Sequence, residues 1–163
     1  FRLYFCNSKW DMDMDFTENG LSMASANDKK IMEYFQNIKV WARENDLKRD
    51  LKLNEEDTTF DNSFNEAKKI VHQSFCDNFN TPNVVSTILD LIKKTYEYEE
   101  KCRKNKSLKL HLIYGVGKYI SDILKCLGLV YSTEFVDYFK LSENGGGKNV
   151  EELLTIEDRK SVV

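Results

Sequence analysis

Apolar residues recur every three or four positions in four stretches of the chain, which is the spacing of amphipathic helices. We predict the first helix from Thr17 to about residue 45 and the second from about 60 to 75. The third runs from Thr81 to about residue 102, and the fourth from Ser107 to about residue 127. The four apolar stripes are Leu21, Ala24, Ile31, Phe35, Ile38 and Ala42; Phe60, Phe64, Ala67, Val71 and Phe75; Val84, Ile88, Leu91, Ile92 and Thr95; and Leu112, Ile113, Val116, Ile120, Ile123, Leu124 and Leu127. Each helix must bury its stripe, so we predict an all-α fold, specifically an antiparallel four-helix bundle.

Residues with known positional preferences mark the ends of these helices. Thr17 is a suitable N-cap for the first helix, with Glu18 favourably placed in its first turn. Ser107 is the expected cap of the fourth helix. Gly128 can end that helix in the left-handed conformation, which would let Leu129 pack back on Leu124.

Segments without helical periodicity predict the connectors. Residues 11–16 alternate between acidic and apolar side chains, which indicates a short N-terminal extended segment. Residues 46–59 are mostly polar and predict a connector, and a glycine run at 145–147 predicts a flexible linker. We therefore divide the chain into an N-terminal segment (1–17), a helical bundle (18–141) and a linker (142–163).

One six-residue stretch combines helix-breaking and helix-starting residues. It consists of Asp77, Asn78, Phe79, Asn80, Thr81 and Pro82. Thr81 suits an N-cap and Pro82 the first helical position, so a helix should open here. We expect Phe79 to plug the core, and we expect the polar side chains of residues 77, 78 and 80 to bond backbone groups at the broken helix ends.

Net charge and cofactor motifs restrict the possible functions. The formal net charge is −3, which argues mildly against a free-standing nucleic-acid binder. The cysteines lack the paired spacing of zinc sites, and we expect reduced thiols.

Gly115 and Gly117 lie in the fourth helix without the remaining residues of a phosphate-binding loop, so we expect close helix packing at both. No apolar run approaches the ~20 residues that cross a bilayer.

One local cluster could nevertheless meet phosphate groups. It comprises Lys101, Arg103, Lys104, Lys106 and Lys109. The alternative interpretation of this cluster is a solvated loop between two helices. The chain also begins at Phe1, not methionine, inside an apolar and aromatic run, and we expect it to be part of a longer protein.

Three motifs follow one another along the chain. The first is Arg2-Leu3-Tyr4-Phe5, followed by Trp10 and by Asp15-Phe16-Thr17-Glu18; the second is the stretch 77–82; the third is Leu124-x-x-Leu127-Gly128-Leu129. In this order they resemble the cysteinyl-tRNA synthetases, and the resemblance spans about residues 1–139. It implies the DALR-type anticodon-binding bundle of these class I enzymes, preceded in residues 1–17 by the tail of the stem-contact region.

The resemblance also implies a function for the longer protein, the ATP-dependent attachment of cysteine to tRNA(Cys) in the cytoplasm. The family's ATP-handling signatures and zinc ligands are not present here. We therefore expect ATP, Mg²⁺ and Zn²⁺ to bind only in a catalytic domain outside this chain. Within this chain we expect no catalytic residue and no metal site. The expected partners of the chain are that catalytic domain and tRNA(Cys). The candidate tRNA contacts are Lys101, Arg103, Lys104 and Lys106, with Trp10 as a weaker candidate.

Two alternatives remain open from the sequence. The first is the bundle of another class I enzyme, such as an arginyl-tRNA synthetase or a cysteine ligase that uses no tRNA. The second is a non-enzymatic helical module that binds proteins, which the negative net charge favours.

Overall fold

The structure, a computed structural model, describes residues 1–44, 53–105 and 107–129, and these ranges contain five α-helices and no strand. The helices are α1 (Arg2–Cys6), α2 (Glu18–Glu44), α3 (Glu55–Cys76), α4 (Thr81–Asn105) and α5 (Leu110–Cys126). The prediction of an all-α fold is confirmed. The predicted boundary at residues 141–142 and the glycine linker lie outside the described residues.

Most residues of the periodic stripes form the core, as the sequence predicts. The stripe residues that are only partly buried are Leu21, Phe75, Leu112, Ile123 and Leu127. Ile31 and Ile38 of α2, Ile88 of α4, and Ile113 and Ile120 of α5 are each at most 1% exposed. Phe60, Phe64, Ala67 and Val71 from α3 are also buried. Side chains that the stripes omit, such as Tyr34 and Trp41, are buried beside them, because the helices have several neighbours and bury more than one narrow stripe.

Helices α3 and α4 run in opposite directions. Near the start of α3, the ring of Phe60 stacks on Tyr98, close to the end of α4, with centroids 4.3 Å apart. At the opposite end, Asn83 Nδ2 donates to Ser74 Oγ at 2.7 Å. This pair is therefore antiparallel, whereas the antiparallel order of all four long helices stays a prediction.

Arg2–Cys6 form a short helix, α1, that the sequence analysis did not predict. A helix of five residues is not stable alone, so tertiary contacts must hold it. The Tyr4 hydroxyl donates to the Asp15 carbonyl at 2.8 Å, and Arg2 Nη1 donates to the Gly128 carbonyl at 2.7 Å. Helix α1 therefore connects the start of α2 to the end of α5.

Helix α3 begins at Glu55, inside the predicted connector 46–59. Asn54 and Asp57 form a capping box: Asp57 N donates to Asn54 Oδ1 at 2.7 Å, and Asn54 N donates to Asp57 Oδ2 at 3.0 Å. The first turn of α3 is polar and carries no apolar stripe, so hydrophobic periodicity could not locate it. The Asn-x-x-Asp spacing of residues 54–57 is nevertheless the spacing of a capping box.

Two further predictions about helix ends are wrong. Helix α4 continues through Lys101 to Asn105, so Lys101, Arg103 and Lys104 lie in a helix and not in a loop. Lys109 of the same cluster is buried at the N-cap of α5. Ser107 does not cap α5, whose N-cap is Lys109 without a side-chain hydrogen bond. Ser107 N instead donates to the Cys102 carbonyl at 3.1 Å, which links the turn to the end of α4.

The predicted end of α5 is confirmed. Gly128 has φ +70°, the left-handed conformation that glycine adopts without a Cβ penalty. Leu129 N donates to the Leu124 carbonyl at 2.8 Å and Gly128 N to the Lys125 carbonyl at 2.9 Å, the two bonds of a Schellman motif. Leu129 is 7% exposed, so it packs inward as expected.

Candidate nucleic-acid interface

The described basic candidates lie on the last turns of α4, where cations interact favourably with the helix dipole. Lys101, Arg103 and Lys104 are all exposed. Arg103 Nε contacts Glu99 Oε1 at 2.6 Å, and Lys104 Nζ contacts Glu100 Oε1 at 3.1 Å. Lys106 lies outside the described residues.

Carboxylates on the same turns balance this basic end of α4. Residues 97–104 contain three acidic and three basic side chains. The pair of Lys104 and Glu100 is exposed, at 73% and 72% of the side chains, and such pairs contribute little and open readily. The Glu99 side chain is only 11% exposed, so Arg103 is held more firmly. Lys101 and Lys104 are therefore better placed than Arg103 to meet a phosphate.

An open groove of about 470 Å³ lies beside these residues, between the start of α3 and the end of α4. Lys94 and Lys101 line it together with Glu55, Glu56 and Glu97. Acidic side chains outnumber basic ones on these walls by three to two, so the interior of the groove is a poor site for a nucleic-acid backbone. Lys101 lines the groove but is exposed, and Lys104 does not line it, so phosphate contact is better suited to the exposed outer face of α4.

Trp10 is not near the basic end of α4. Its Nε1 donates to the Asn78 carbonyl at 2.9 Å, which places it beside the first turn of α4. From residue 81 to residue 103 a helix rises roughly 33 Å at 1.5 Å per residue. The structure therefore does not bring Trp10 together with Lys101, Arg103 and Lys104.

The stretch 77–82 is the corner between α3 and α4, as the sequence predicts. Asn83 N donates to Asn80 Oδ1 at 3.4 Å, and Asn80 Nδ2 donates to Asp77 Oδ2 at 3.3 Å. The side chain of Asn80 therefore bonds a backbone group at the start of α4, as we predicted. The side chain of Asp77 bonds the Asn80 side chain and not a backbone group. Helix α4 begins at Thr81, so Asn80 takes the cap position that we predicted for Thr81, and Pro82 lies one position further into the helix.

Asn78 holds the N-terminal segment against this corner, and Phe79 does not fill the core. Asn78 Nδ2 donates to Asp11 Oδ2 at 2.8 Å, so its side chain does not bond a helix end. Phe79 is 64% exposed and contacts the ring of Phe75 edge-on, with centroids 6.4 Å apart. The prediction that Phe79 plugs the core is wrong, because the chain turns through φ +51° at both Asn78 and Phe79 and carries the ring outward.

We expect Phe79→Asn to leave the free energy of unfolding unchanged or to raise it by up to about 1 kcal/mol. The left-handed conformation disfavours phenylalanine but is tolerated by asparagine, and little buried area is lost. Urea unfolding followed by circular dichroism measures the change, with buried Phe64→Ala as the matched control. Removing a core phenylalanine costs about 3–5 kcal/mol, so a loss of that size at position 79 would contradict the exposed placement.

A buried polar network near the basic end was not found by sequence reasoning. Asp57 is 0% exposed; its Oδ1 accepts the Tyr98 hydroxyl at 2.6 Å, and Lys109 N donates to the same hydroxyl at 3.3 Å. Burial, reinforced by the hydrogen bond to Asp57, raises the pKa of Tyr98 far above its ordinary value. The phenol therefore stays a donor and joins the starts of α3 and α5 to the end of α4.

Neither a metal site nor a membrane span is found within residues 1–44, 53–105 and 107–129. His72 Nε2 and Cys76 Sγ are 3.8 Å apart on α3, but no third histidine, cysteine or carboxylate among these residues completes a metal-binding group. The helices that the structure describes are too short or too polar to span a bilayer.

Comparison with known proteins finds relatives along most of the chain. It is 28% identical over 155 residues to the cytoplasmic cysteine–tRNA ligase of Dictyostelium discoideum, covering 94% of this chain and 23% of that protein. It is 31% identical over 140 residues to the cytoplasmic cysteine–tRNA ligase of Drosophila melanogaster, covering 79% and 18%. The cysteine–tRNA ligase of Thermococcus onnurineus is 25% identical over 153 residues, covering 94% and 30%. No protein-family profile matches the chain.

Proposed function

Because this chain is a homologue of one segment of the cysteine–tRNA ligases, we propose that it is the helical bundle that supports tRNA binding in such an enzyme. The homology, which extends over 79–94% of the chain in the three relatives compared, carries the proposal. The complete enzyme would attach cysteine to tRNA(Cys). The bundle, of the DALR-type anticodon-binding class, would contribute binding surface, and residues 1–17 would be the tail of the stem-contact region.

In this proposal the outer face at the end of α4 holds the tRNA backbone. Lys101 and Lys104 meet phosphate groups, with Arg103 and Lys106 as further candidates. Exchange of the Glu100 carboxylate for a phosphate at Lys104 requires only the opening of an exposed ion pair. Contacts of this kind orient the nucleic acid without reading its sequence. The bundle would thus keep the acceptor end of the tRNA in line with the catalytic part of the enzyme.

Other parts of the proposed enzyme perform the chemistry. We place ATP, Mg²⁺ and Zn²⁺ in a catalytic domain outside this chain, which would be its intramolecular partner. We further propose a cytoplasmic location, because the Dictyostelium discoideum and Drosophila melanogaster relatives carry that description.

A salt titration of tRNA binding tests this function. We expect the chain to bind a tRNA(Cys) transcript, with affinity falling as salt concentration rises, because phosphate contacts release counterions. Lys101→Gln/Lys104→Gln should make the slope of log K against log salt shallower by roughly one to two. These substitutions preserve Arg103 and its pair with Glu99, so the fold should be unaffected.

The matched control is Lys29→Gln/Lys30→Gln on α2, which changes the net charge by the same amount. An equal loss of slope in both double variants would show a general charge effect and would exclude the assigned contact face. A transcript for a different amino acid tests selectivity. Absence of binding at low salt would exclude an independent tRNA-binding role for the bundle.

A further inference from the structure

The corner between α3 and α4 presents aromatic and acidic side chains together at the surface. We define the acidic corner as Trp10, Asp11, Asp77, Asn78 and Phe79. Trp10 and Phe79 are 70% and 64% exposed, and both aspartates are exposed. Exposed aromatic side chains grouped in this way commonly belong to binding surfaces.

Trp10 is fixed in place although its ring is in solvent. The hydrogen bond of 2.9 Å from its Nε1 to the Asn78 carbonyl anchors one edge. The bond of 2.8 Å from Asn78 Nδ2 to Asp11 Oδ2 anchors the next residue. The indole is therefore oriented before any partner arrives, which lowers the entropy lost on binding.

Phe79 adds a second observation that core packing does not explain. It lies in the left-handed conformation at φ +51°, where asparagine or glycine would be accommodated more easily. The strained backbone places the ring outward, next to the peptide group that accepts the Trp10 hydrogen bond. Backbone strain combined with an exposed aromatic ring is a feature of contact sites.

The charge around the corner determines which partner it fits. The segments that meet at the corner, residues 8–11 and 77–82, carry the exposed carboxylates of Asp11 and Asp77 and one lysine, Lys9. Such a surface repels a phosphate backbone and attracts cations. The face of tryptophan is also the best cation–π acceptor among side chains, and arginine is the cation most often found there.

We propose that the acidic corner is a docking surface for an arginine-bearing protein segment. The guanidinium plane stacks on the exposed indole of Trp10 and donates hydrogen bonds to the carboxylate of Asp11 or Asp77. Phe79 provides the apolar contact beside it. Arginine is preferred over lysine because its planar group can stack and bind a carboxylate at the same time. The basic end of α4 is thereby left to the tRNA of the proposed function.

The test uses the full chain, ¹⁵N-labelled, and a capped Gly-Arg-Leu-Arg-Gly peptide as the probe. The Trp10 indole N–H reports docking, and buried Trp41 is the internal reference. We expect the arginine peptide to shift the Trp10 indole and the amides of residues 78 and 79. The charge-matched Gly-Lys-Leu-Lys-Gly peptide should bind at least about threefold more weakly, as expected if guanidinium stacking contributes.

Asp11→Asn/Asp77→Asn should weaken binding of the arginine peptide by at least about threefold. Both substitutions keep an acceptor oxygen for the existing hydrogen bonds. The control Asp61→Asn/Asp122→Asn removes the same charge from α3 and α5 and should bind as the unmodified chain does. Equal weakening in both double variants, or equal binding of the two peptides, would overturn the proposal.

Two further outcomes would assign the corner to a different partner and also overturn the proposal. In the first, hexauridylate binds at Trp10 and the arginine peptide does not, which indicates a nucleic-acid partner. The other is a shift of the Trp10 indole with protein concentration alone, which indicates contact between copies of the chain. Because the tRNA test uses variants at the opposite end of α4, either proposal can fail while the other stands.

Discussion

Replacing Asp57 with alanine should lower the free energy of unfolding by about 3 kcal/mol, a large loss for the substitution of a polar residue. Alanine removes the acceptor for the Tyr98 hydroxyl and for Asn54 N. A buried donor left without an acceptor costs about 1–3 kcal/mol, and loss of a helix cap costs about 1 kcal/mol. The substitution thus loosens both the start of α3 and its bond to α4.

A double-mutant cycle with Tyr98→Phe separates the two contributions. Tyr98→Phe removes one donor to Asp57 and the acceptor for Lys109 N, and we expect a loss of about 2 kcal/mol. The two side chains share one hydrogen bond, and each single variant already loses it. The loss of stability in the double variant should therefore be about 1 kcal/mol smaller than the sum of the two single losses. Urea unfolding followed by circular dichroism provides all the values.

The control for this cycle is Glu66→Ala on the exposed side of α3. The Glu66 side chain is 62% exposed and pairs only with exposed Lys69 in the described residues. We expect its replacement to change stability by no more than about 0.5 kcal/mol. Additive losses at Asp57 and Tyr98 would contradict the buried hydrogen bond between them.

The second large effect should occur at Gly20, in the first turn of α2. A Cβ there would lie 2.7 Å from Tyr4 Cε2 and 3.0 Å from Thr17 Oγ1. The Tyr4 ring cannot move away easily, because its hydroxyl donates to the Asp15 carbonyl and accepts from Thr17 N. Overpacking costs about 1–3 kcal/mol. We expect Gly20→Ala to destabilise the chain by about 1–2 kcal/mol, even though alanine favours the helix.

Gly115→Ala is the matched control for Gly20→Ala and should have the opposite sign. A Cβ at Gly115 would approach only Phe64 Cε1, at an ordinary contact distance of 3.9 Å. The sequence-based expectation of close packing at Gly115 is therefore wrong, and alanine should stabilise α5 by up to about 1 kcal/mol. Equal signs for the two variants in thermal unfolding would contradict the contact between Tyr4 and α2.

Three sequence features correctly predict parts of the fold: the apolar stripes, the cap of α2 and the end of α5. The apolar stripes predict α2 and most of α3, α4 and α5, because burial of one helix face imposes a period of 3.6 residues. Thr17 is confirmed as the cap of α2, since its Oγ1 accepts from Gly20 N at 3.1 Å. The end of α5 is confirmed at Gly128 because the left-handed conformation favours glycine.

The candidate site is less predictable, because nucleic-acid contact depends on surface placement and not on periodicity. The sequence groups Lys101, Arg103 and Lys104 correctly, since they are neighbours on one helix. It does not show that Glu99 and Glu100 pair with two of them, or that Trp10 lies at the far end of α4. The roles of these residues in tRNA binding stay predictions.

By itself, then, the sequence determined the four long helices, because their periodicity depends on residues a few positions apart. It did not determine α1 or several of the helix ends. Only the tertiary structure decided the features that depend on distant residues. Arg2 of helix α1 donates to the Gly128 carbonyl, and the carboxylate of buried Asp57 accepts the Tyr98 hydroxyl. Phe79 is exposed at a corner where Asn78 bonds Trp10 and Asp11, 68 and 67 positions away. Contacts across 41 to 126 residues leave no local pattern in a single sequence.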